Sequence, residues 1–364
     1  MASAPPRLLS LATAVPPHVV RQDEVRAFAE RLFAARGLGD PRMLAVFDHN
    51  SVATRHLCVP LAWFESDHSF GEKNNLYIRH ALALASRVAT RALEQAALGP
   101  RDIDHVIFVS TTGFATPTLD ARMANDLGFR PEVRRTPLWG LGCAGGAAGL
   151  SRAFDFARAD PASRTLVVAV ELCSLAFQPE DELKLGVISA SLFSDGAAAA
   201  VIAGPEASGA EPPPGGLRIE LLGAHSALWP DSLSVMGWNF DERGFHLVMT
   251  REIPSTIADW LRPALDAFLA AGGRTLADVA HLVPHPGGGK VLDAMTEALG
   301  LEDDGLRHAR DVLRDYGNMS SPTCLFVLER TLAAGDIRPG DSAVLAALGP
   351  GFSSELVLMR GIAV

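Results

Sequence analysis

Hydrophobic residues recur along the chain with two different periods, and their alternation predicts an α/β protein. Leu8–Val15 is an apolar run closed by Pro16-Pro17 and reads as a first core strand. Arg21–Arg36 then places Val25, Phe28, Leu32 and Phe33 on one helical face. Residues 41–75 carry aromatic and charged side chains without a clear period, which predicts irregular helices and loop. Across Asn75–Ala97, Ile78, Ala81, Leu82, Ala85, Val88, Ala92 and Leu93 return at helical spacing, and Gly99-Pro100 stops the helix. Asp104–Ser110 is a short β-rich run ended by Thr111-Thr112-Gly113.

The second half repeats this order. Ile253–Ala271 is a helix stopped by Gly272-Gly273, and the run HLVPHPGGG follows at 281–289. Cys143 stands ahead of a helical pattern that leads to the strand RTLVVAVEL at 164–172. Asn318 stands ahead of another, Ser321–Ala334, that leads to SAVLAALG at 342–349. Cys143 and Asn318 therefore occupy equivalent helix starts, and His285 falls where Thr112 falls in the first half. Two such α/β halves bring these loops to one seam. Pro205–Gly216, with three prolines at 212–214, is the expected boundary, which gives halves of residues 1–210 and 211–364. Ser191–Gly204 predicts two strands joined by an Asp195-Gly196 turn. Leu217–Ser226 predicts a strand paired with Ala197–Ala203, and the segment Trp229–Arg243, where Trp, Met, Gly and Asp are mixed, a pocket wall or surface loop.

Composition narrows the function classes. A chain of 364 residues with 48% hydrophobic and 20% charged residues is globular and exceeds the usual size of one core. A formal net charge of −10 argues against nucleic acid or an anionic membrane as the main partner. The cysteines, Cys58, Cys143, Cys173 and Cys324, are dispersed without a C-x-x-C pair, which predicts neither a disulfide framework nor a zinc site and places the chain in a reducing cytoplasm. No run of about 18 uninterrupted apolar residues predicts a membrane span.

Candidate chemistry centres on Cys143. The small residues after it, Ala144, Gly145, Gly146, Ala147, Ala148 and Gly149, let a substrate or another helix approach closely. A helix start lowers a cysteine pKa through its free N–H groups and dipole. A thiolate nucleophile also needs a base and an oxyanion donor, and His285 in VPHPGG and Asn318 in YGNMSS are the candidates. Each has a structural alternative: a buried packing cysteine, a satisfied turn histidine, a helix N-cap asparagine.

In combination these residues resemble the type III polyketide synthases, the chalcone and stilbene synthase family of thiolase-fold condensing enzymes. The resemblance is carried by LATAVPPH at 11–18, GCAGG at 142–146, VEL at 170–172, LFSDGAAA at 192–199, GFHL at 244–247, HPGG at 285–288, YGNMSS at 316–321 and GPG at 349–351. It implies a thiolase fold of two duplicated αβαβα halves in a five-layered core, and a Cys143-His285-Asn318 triad. Cys143 would carry the starter and growing chain as a thioester. His285 would hold the thiolate as an ion pair, and His285 with Asn318 would bind the thioester oxygen of malonyl-CoA during decarboxylation. No metal or redox cofactor is implied. Phe193 and Phe245 match the two gatekeeper phenylalanines, and Gly349, Pro350 and Gly351 match the cyclisation-side loop, with Leu348 replacing its usual phenylalanine-glycine lead-in. Ser320, beside Asn318, is a further substrate-binding candidate.

Substrate choice follows the same resemblance. Cys173 and Ala176 replace threonines of plant members, and Gly237 matches a glycine whose size limits chain length. Small, less polar walls favour an elongated apolar tunnel. The ELCS segment and residues 110–122 look more like bacterial members that take fatty-acyl starters, so the expected products are alkylpyrones or alkylresorcinols, with chalcone- or tetrahydroxynaphthalene-type synthesis as the alternative. The CoA-anchoring cations of plant members are not reproduced across 42–56, where Arg42, His49, Arg55 and His56 lie. This leaves two routes for the starter, an acyl carrier protein or fatty acid synthase, or CoA held differently. The family is homodimeric, and Thr116 falls where a loop residue reaches into the partner's chamber. Initiating ketoacyl carrier-protein synthases share Cys, His and Asn but carry an H-Q-A-N type run in place of HPGG. Thiolases need a second catalytic cysteine, for which Cys324 is poorly placed, and a non-catalytic partner subunit would typically have lost the nucleophile.

Overall fold

The computed structural model describes residues 4–35, 43–178, 183–208, 216–302 and 304–364. The first half contains β1 (Arg7–Ala14), β2 (His18–Arg21), α1 (Gln22–Ala35), α2 (Val46–His49), β3 (Thr54–Leu57), α3 (Phe70–Gln95), β4 (His105–Val109), α4 (Leu119–Leu127), β5 (Arg134–Leu138), α5 (Gly145–Ala159), β6 (Arg164–Leu172), α6 (Leu183–Leu192) and β7 (Asp195–Ala203). The second contains β8 (Leu217–Leu228), β9 (Met236–Asp241), β10 (Gly244–Met249), α7 (Ile253–Ala271), β11 (His281–Pro284), α8 (Gly289–Leu299), α9 (Arg307–Tyr316), α10 (Thr323–Ala333), β12 (Ser342–Gly349) and β13 (Ser353–Ala363).

Nine strands join in the order β11-β12-β13-β8-β1-β7-β6-β4-β5. The duplication is explicit in the pairings. In the first half β4 runs parallel to β6, β6 antiparallel to β7, and β7 antiparallel to β1. In the second half β11, β12, β13 and β8 repeat that sequence of parallel, antiparallel and antiparallel pairings. The halves meet where Arg7 and Leu8 of β1 pair with Glu220 and Ile219 of β8.

Layering follows from which helices touch which strands. The equivalent helices α5 and α10 touch strands of both halves and lie between them, while α3 covers the outer face of β1, β6 and β7. The α7 residues Ile257, Leu261, Leu265 and Leu269, with Leu292 and Met295 of α8, pack into the second-half core. The resulting order is five-layered, αβαβα. Covered on both faces, β7 is buried throughout and β6 beyond Arg164, and their central stretches, Leu166–Val170 and Ala197–Ala203, read as unbroken apolar runs.

Three expectations are corrected. Asp195-Gly196 opens β7 and makes no hairpin turn, because the Asp195 carboxylate accepts the Cys58 and Ser174 N–H groups and the Ser174 hydroxyl. The residues before it, Ser191 and Leu192, end α6. Leu217–Ser226 pairs with β13 and β1, since β1 lies between it and β7. Helix α3 starts at Phe70 and not at Asn75, held by a Ser69–Glu72 capping box upstream of the apolar period. The boundary at 210/211 and Arg42 lie outside the described residues. Among the described residues no helix is long and apolar enough to cross a membrane.

Candidate active site

Three chain turns deliver the candidate triad to one place. After β5 the backbone turns through Gly140 (φ 88°) and Gly142 (φ 46°), and the Gly142 N–H donates to Thr111 Oγ1 at 3.2 Å. Cys143 then sits in a single 3₁₀ turn, Gly142–Ala144, that runs into α5. The small residues beyond it serve helix packing. A Cβ on Gly146 would lie 2.2 Å from the Ser321 carbonyl oxygen, and one on Gly145 2.5 Å from Val109 Cγ1. Only glycine lets α5 close on the entry to α10, and that closure brings Cys143 beside the Asn318 turn.

Asn318 is not a helix cap. Pro322 takes the N-cap position of α10, and Asn318 is pinned earlier, donating its N–H to the Leu192 carbonyl and accepting the Ser194 N–H at its own carbonyl, both at 2.9 Å. Its amide orientation is set by Nδ2 donating to the Gly287 carbonyl at 3.1 Å and Oδ1 accepting the Ser320 N–H at 2.8 Å. Ser320 holds φ 59°, a left-handed conformation uncommon for a side-chain-bearing residue and concentrated at functional sites. The Ser320 and Asn318 side chains lie beside the Cys143 sulfur, where both favour the thiolate.

His285 follows β11, with its backbone N–H donated to the Ala346 carbonyl at 2.7 Å. Its ring is 3% exposed, and neither Nδ1 nor Nε2 has a hydrogen-bond partner among the described residues. Buried polar groups are rarely left so. Burial lowers the His285 pKa to about 3 and holds the ring neutral. Burial also pushes the Cys143 thiol up to about 11, with the Glu171 charge adding and Ser320 and Asn318 opposing. The helix start therefore does not lower this pKa on its own, because desolvation outweighs it. Behind the nucleophile, Glu171 accepts from the Thr111 N–H (2.9 Å), the Thr112 hydroxyl (2.9 Å) and the Ser321 hydroxyl (2.7 Å), tying the two halves together. Burial raises it to about 7 against those donors.

Cys143, His285 and Asn318 line one cavity of about 650 Å³, together with Cys173, Phe193, Gly237, Ser320 and Pro350. The other predicted residues lie elsewhere. Ala176 is buried in the turn after Cys173, off the wall. Phe245 packs among Phe70, Phe114, Trp238 and Phe240 and faces a small separate pocket. Gly349 packs against the nucleophile turn, where a Cβ would lie 2.4 Å from the Leu141 carbonyl oxygen, and Gly351 (φ 138°) turns the chain between β12 and β13. Thr116 is exposed on the loop between β4 and α4. Of the cations near residue 50, His49 reaches the cavity. Arg55 is buried with its guanidinium on the Ala190 and Phe193 carbonyls, and His56 stacks on Tyr316 at 5.5 Å.

An apolar tunnel was expected, but the residues that build most of its aliphatic wall were not. That wall consists of Met236, Leu247 and Met249 from the β9–β10 hairpin, Ile253 and Ile257 of α7, and Met295 of α8. Ile257 lies on the same helical stripe as the core residues Leu261 and Leu265, so its periodicity carries no signal of a cavity. The available signs were the reading of 229–243 as a pocket wall and the small residues Cys173 and Gly237.

Comparison with known proteins places these features in context. The family model for the N-terminal domain of chalcone and stilbene synthases matches residues 1–206, and that for the C-terminal domain matches residues 220–363. A Bacillus subtilis protein described as "Putative chalcone synthase" is 38% identical, covering 96% of this chain and 97% of its own length. The 1,3,6,8-tetrahydroxynaphthalene synthase of Streptomyces peucetius is 37% identical over 96% of this chain and 91% of its own. The crystal structure of 1,3,6,8-tetrahydroxynaphthalene synthase from Streptomyces coelicolor, a bacterial type III polyketide synthase, superposes with a TM-score of 0.91 at 32% identity, covering 98% of this chain and all of that one.

Proposed function

Because this chain belongs to the chalcone and stilbene synthase family and is a type III polyketide synthase, an acyltransferase of thiolase fold, we propose that it extends a long-chain fatty-acyl starter with malonyl units and cyclises the product to an alkylpyrone or alkylresorcinol. Cys143 is the acyl carrier. As its sulfur attacks the starter thioester, the free His285 nitrogen takes the thiol proton and later returns it to the departing CoA thiolate. Malonyl-CoA then loses its carboxylate as CO2, and the electron pair passes to the enolate. Its oxygen is stabilised by donors from His285 and Asn318, each worth about 3 kcal/mol in comparable sites. The enolate carbon attacks the acyl-Cys143 carbonyl, and the C–S bond breaks to free the sulfur.

The single observation that carries the starter choice is the aliphatic lining. Met236, Leu247, Met249, Ile253, Ile257 and Met295 present apolar side chains, with the Thr250 hydroxyl the polar group among them. An alkyl chain gains about 0.8 kcal/mol per buried methylene there. A chain built from malonyl units alone carries a carbonyl at every second carbon, and each costs about 1–3 kcal/mol when buried unpaired. Gly237 adds room, with no atom within 4 Å of where a Cβ would stand. The test is a product profile by mass spectrometry with malonyl-CoA and acyl-CoA starters from acetyl to eicosanoyl. Pyrones or resorcinols peaking with long starters are expected. Product from malonyl-CoA alone would instead assign tetrahydroxynaphthalene-type synthesis, which similarity to the Streptomyces enzymes favours.

The working unit is a homodimer. Phe114, Trp139 and Phe240, each at least 40% exposed, cluster with centroids 5.2–5.8 Å apart beside the Thr116 loop, a surface suited to a second copy of this chain. Light scattering after gel filtration reads the mass, and a monomer at micromolar concentration would refute the assignment.

A further inference from the structure

Two loops distant in sequence close one wall of the cavity. The turn between β12 and β13 carries Pro350 and Phe352, which both line the cavity, and the loop between β8 and β9 runs from Trp229 to Val235. Pro350 stands against the nucleophile turn, with its Cδ 2.8 Å from where a Cβ on Gly142 would lie, so a shift of this turn is felt one residue from Cys143. The two loops are joined through Ser232. Its Oγ accepts the Phe352 N–H at 2.6 Å and donates to the Trp229 carbonyl at 2.6 Å, while the Trp229 N–H donates to the Phe352 carbonyl at 3.0 Å. Asp231 takes φ 57°, a left-handed conformation that aspartate tolerates better than most residues, and the reversal brings Ser232 back over Trp229. The Trp229 ring packs on Phe352 at 5.2 Å and on Trp260 at 5.1 Å. The same loop reaches the aliphatic wall, because the Val235 N–H donates to the Ser232 carbonyl at 3.1 Å and the Thr250 N–H to the Val235 carbonyl at 3.0 Å. Phe352 is fully buried and Ser232 is 7% exposed, so loss of the hydroxyl would strand the Phe352 N–H away from solvent.

We propose that Ser232 is a positioning residue whose hydroxyl clasps the Phe352 wall in place and thereby sets how many malonyl units are added before the chain is released. The inference rests on the condensing role of the cavity and is independent of which starter it takes. A growing chain must fold within a fixed volume while its thioester stays beside Cys143, and each added unit leans harder on the walls. A misplacement of about 1 Å at the reacting carbons costs about 10²-fold in rate. A wall free to yield therefore slows the late extensions, and release overtakes them. Loading of the starter precedes any extension and depends on the clasp much less.

The experiment compares Ser232→Ala and Ser232→Thr with the unaltered protein. Three quantities are read: the rate of Cys143 acylation by an acyl-CoA starter from intact-protein mass, the distribution of products by number of malonyl units, and amide exchange across residues 350–353. In Ser232→Ala the ratio of the main product to the product one unit shorter is expected to fall about five- to tenfold, the scale of one lost hydrogen bond, with acylation unchanged and exchange at Phe352 faster. Ser232→Thr keeps the hydroxyl and is expected to restore both the ratio and the protection. Phe352→Leu trims the wall without removing either backbone hydrogen bond and is expected to shift the ratio the same way. An unchanged ratio in Ser232→Ala, or acylation slowed as much as extension, would overturn the clasp. An unchanged ratio in Phe352→Leu would overturn it even if Ser232→Ala failed to fold. Products from malonyl-CoA alone would sink the fatty-acyl starter and leave the clasp to be decided by the same ratio among those products.

Discussion

Thr112 and His285 lie on the loops that leave equivalent strands, β4 and β11, three residues and one residue past the strand ends, and the two loops have been put to opposite uses. The Thr112 hydroxyl is fully engaged, donating to Glu171 and accepting the Leu172 N–H, both at 2.9 Å. The His285 ring is as deeply buried and has no partner. One half has used its loop to build the seam, and the other has left it open for chemistry. The difference separates structure from function by hydrogen-bond satisfaction, where strand order alone makes the two loops equivalent.

The largest expected effect comes from the nucleophile. Cys143→Ala should remove condensation by about 10⁴-fold or more, read as malonyl-CoA-dependent product, with the fold retained by circular dichroism. A variant that still condenses would move the acyl carrier elsewhere. Next is the open loop. His285→Gln should lower condensation about 10²- to 10³-fold. It should leave the resting thiol where it is, because burial already holds Cys143 at about 11 and His285 neutral in the unaltered protein, so in both proteins iodoacetamide alkylation of Cys143 should fall away as pH drops below that value. A much lower inflection in the unaltered protein that moves up in His285→Gln would show instead that a thiolate–imidazolium pair stands ready before substrate binds.

Thr112→Ala tests the closed loop. It strands the Leu172 N–H and leaves Glu171 Oε2 with the Thr111 N–H as its remaining donor, so stability should fall by about 1–3 kcal/mol while kcat changes much less than in His285→Gln. Loss of kcat comparable to that of His285→Gln would erase the contrast between the halves. The smallest effect is on selectivity. Gly237→Leu meets open space, so the protein should fold normally, while kcat/KM for the longest starters falls about tenfold as two or three buried methylenes are displaced. An unchanged starter profile would remove Gly237 from the path of the chain.

Much of this was legible along the chain. The repeat of helix, strand and loop placed Cys143, His285 and Asn318 at one seam before any coordinate was known, because apolar periodicity and glycine stops are local signals. The small residues after Cys143 announced a close approach, and the partner proved to be the entry to α10. Local signals failed where a long-range contact competed. Asp195-Gly196 carries hairpin chemistry, yet the Asp195 carboxylate is committed to Cys58 and Ser174. Phe245 sits in a gatekeeper motif, yet its neighbours are the aromatics of α3, the Thr116 loop and its own hairpin, away from the main cavity.

The sequence by itself determined the α/β duplication, the family and the residues equipped for thioester chemistry, since each depends on spacing along a few turns of chain. Tertiary structure decided the rest: which small residues bound empty space, which serine joins the loops of the cavity wall, and that Cys143 and His285 are each driven neutral before substrate arrives. Those properties depend on what is packed around a group in three dimensions. Burial sets the electrostatics of the site, and burial is a sum over residues from both halves that no local stretch contains.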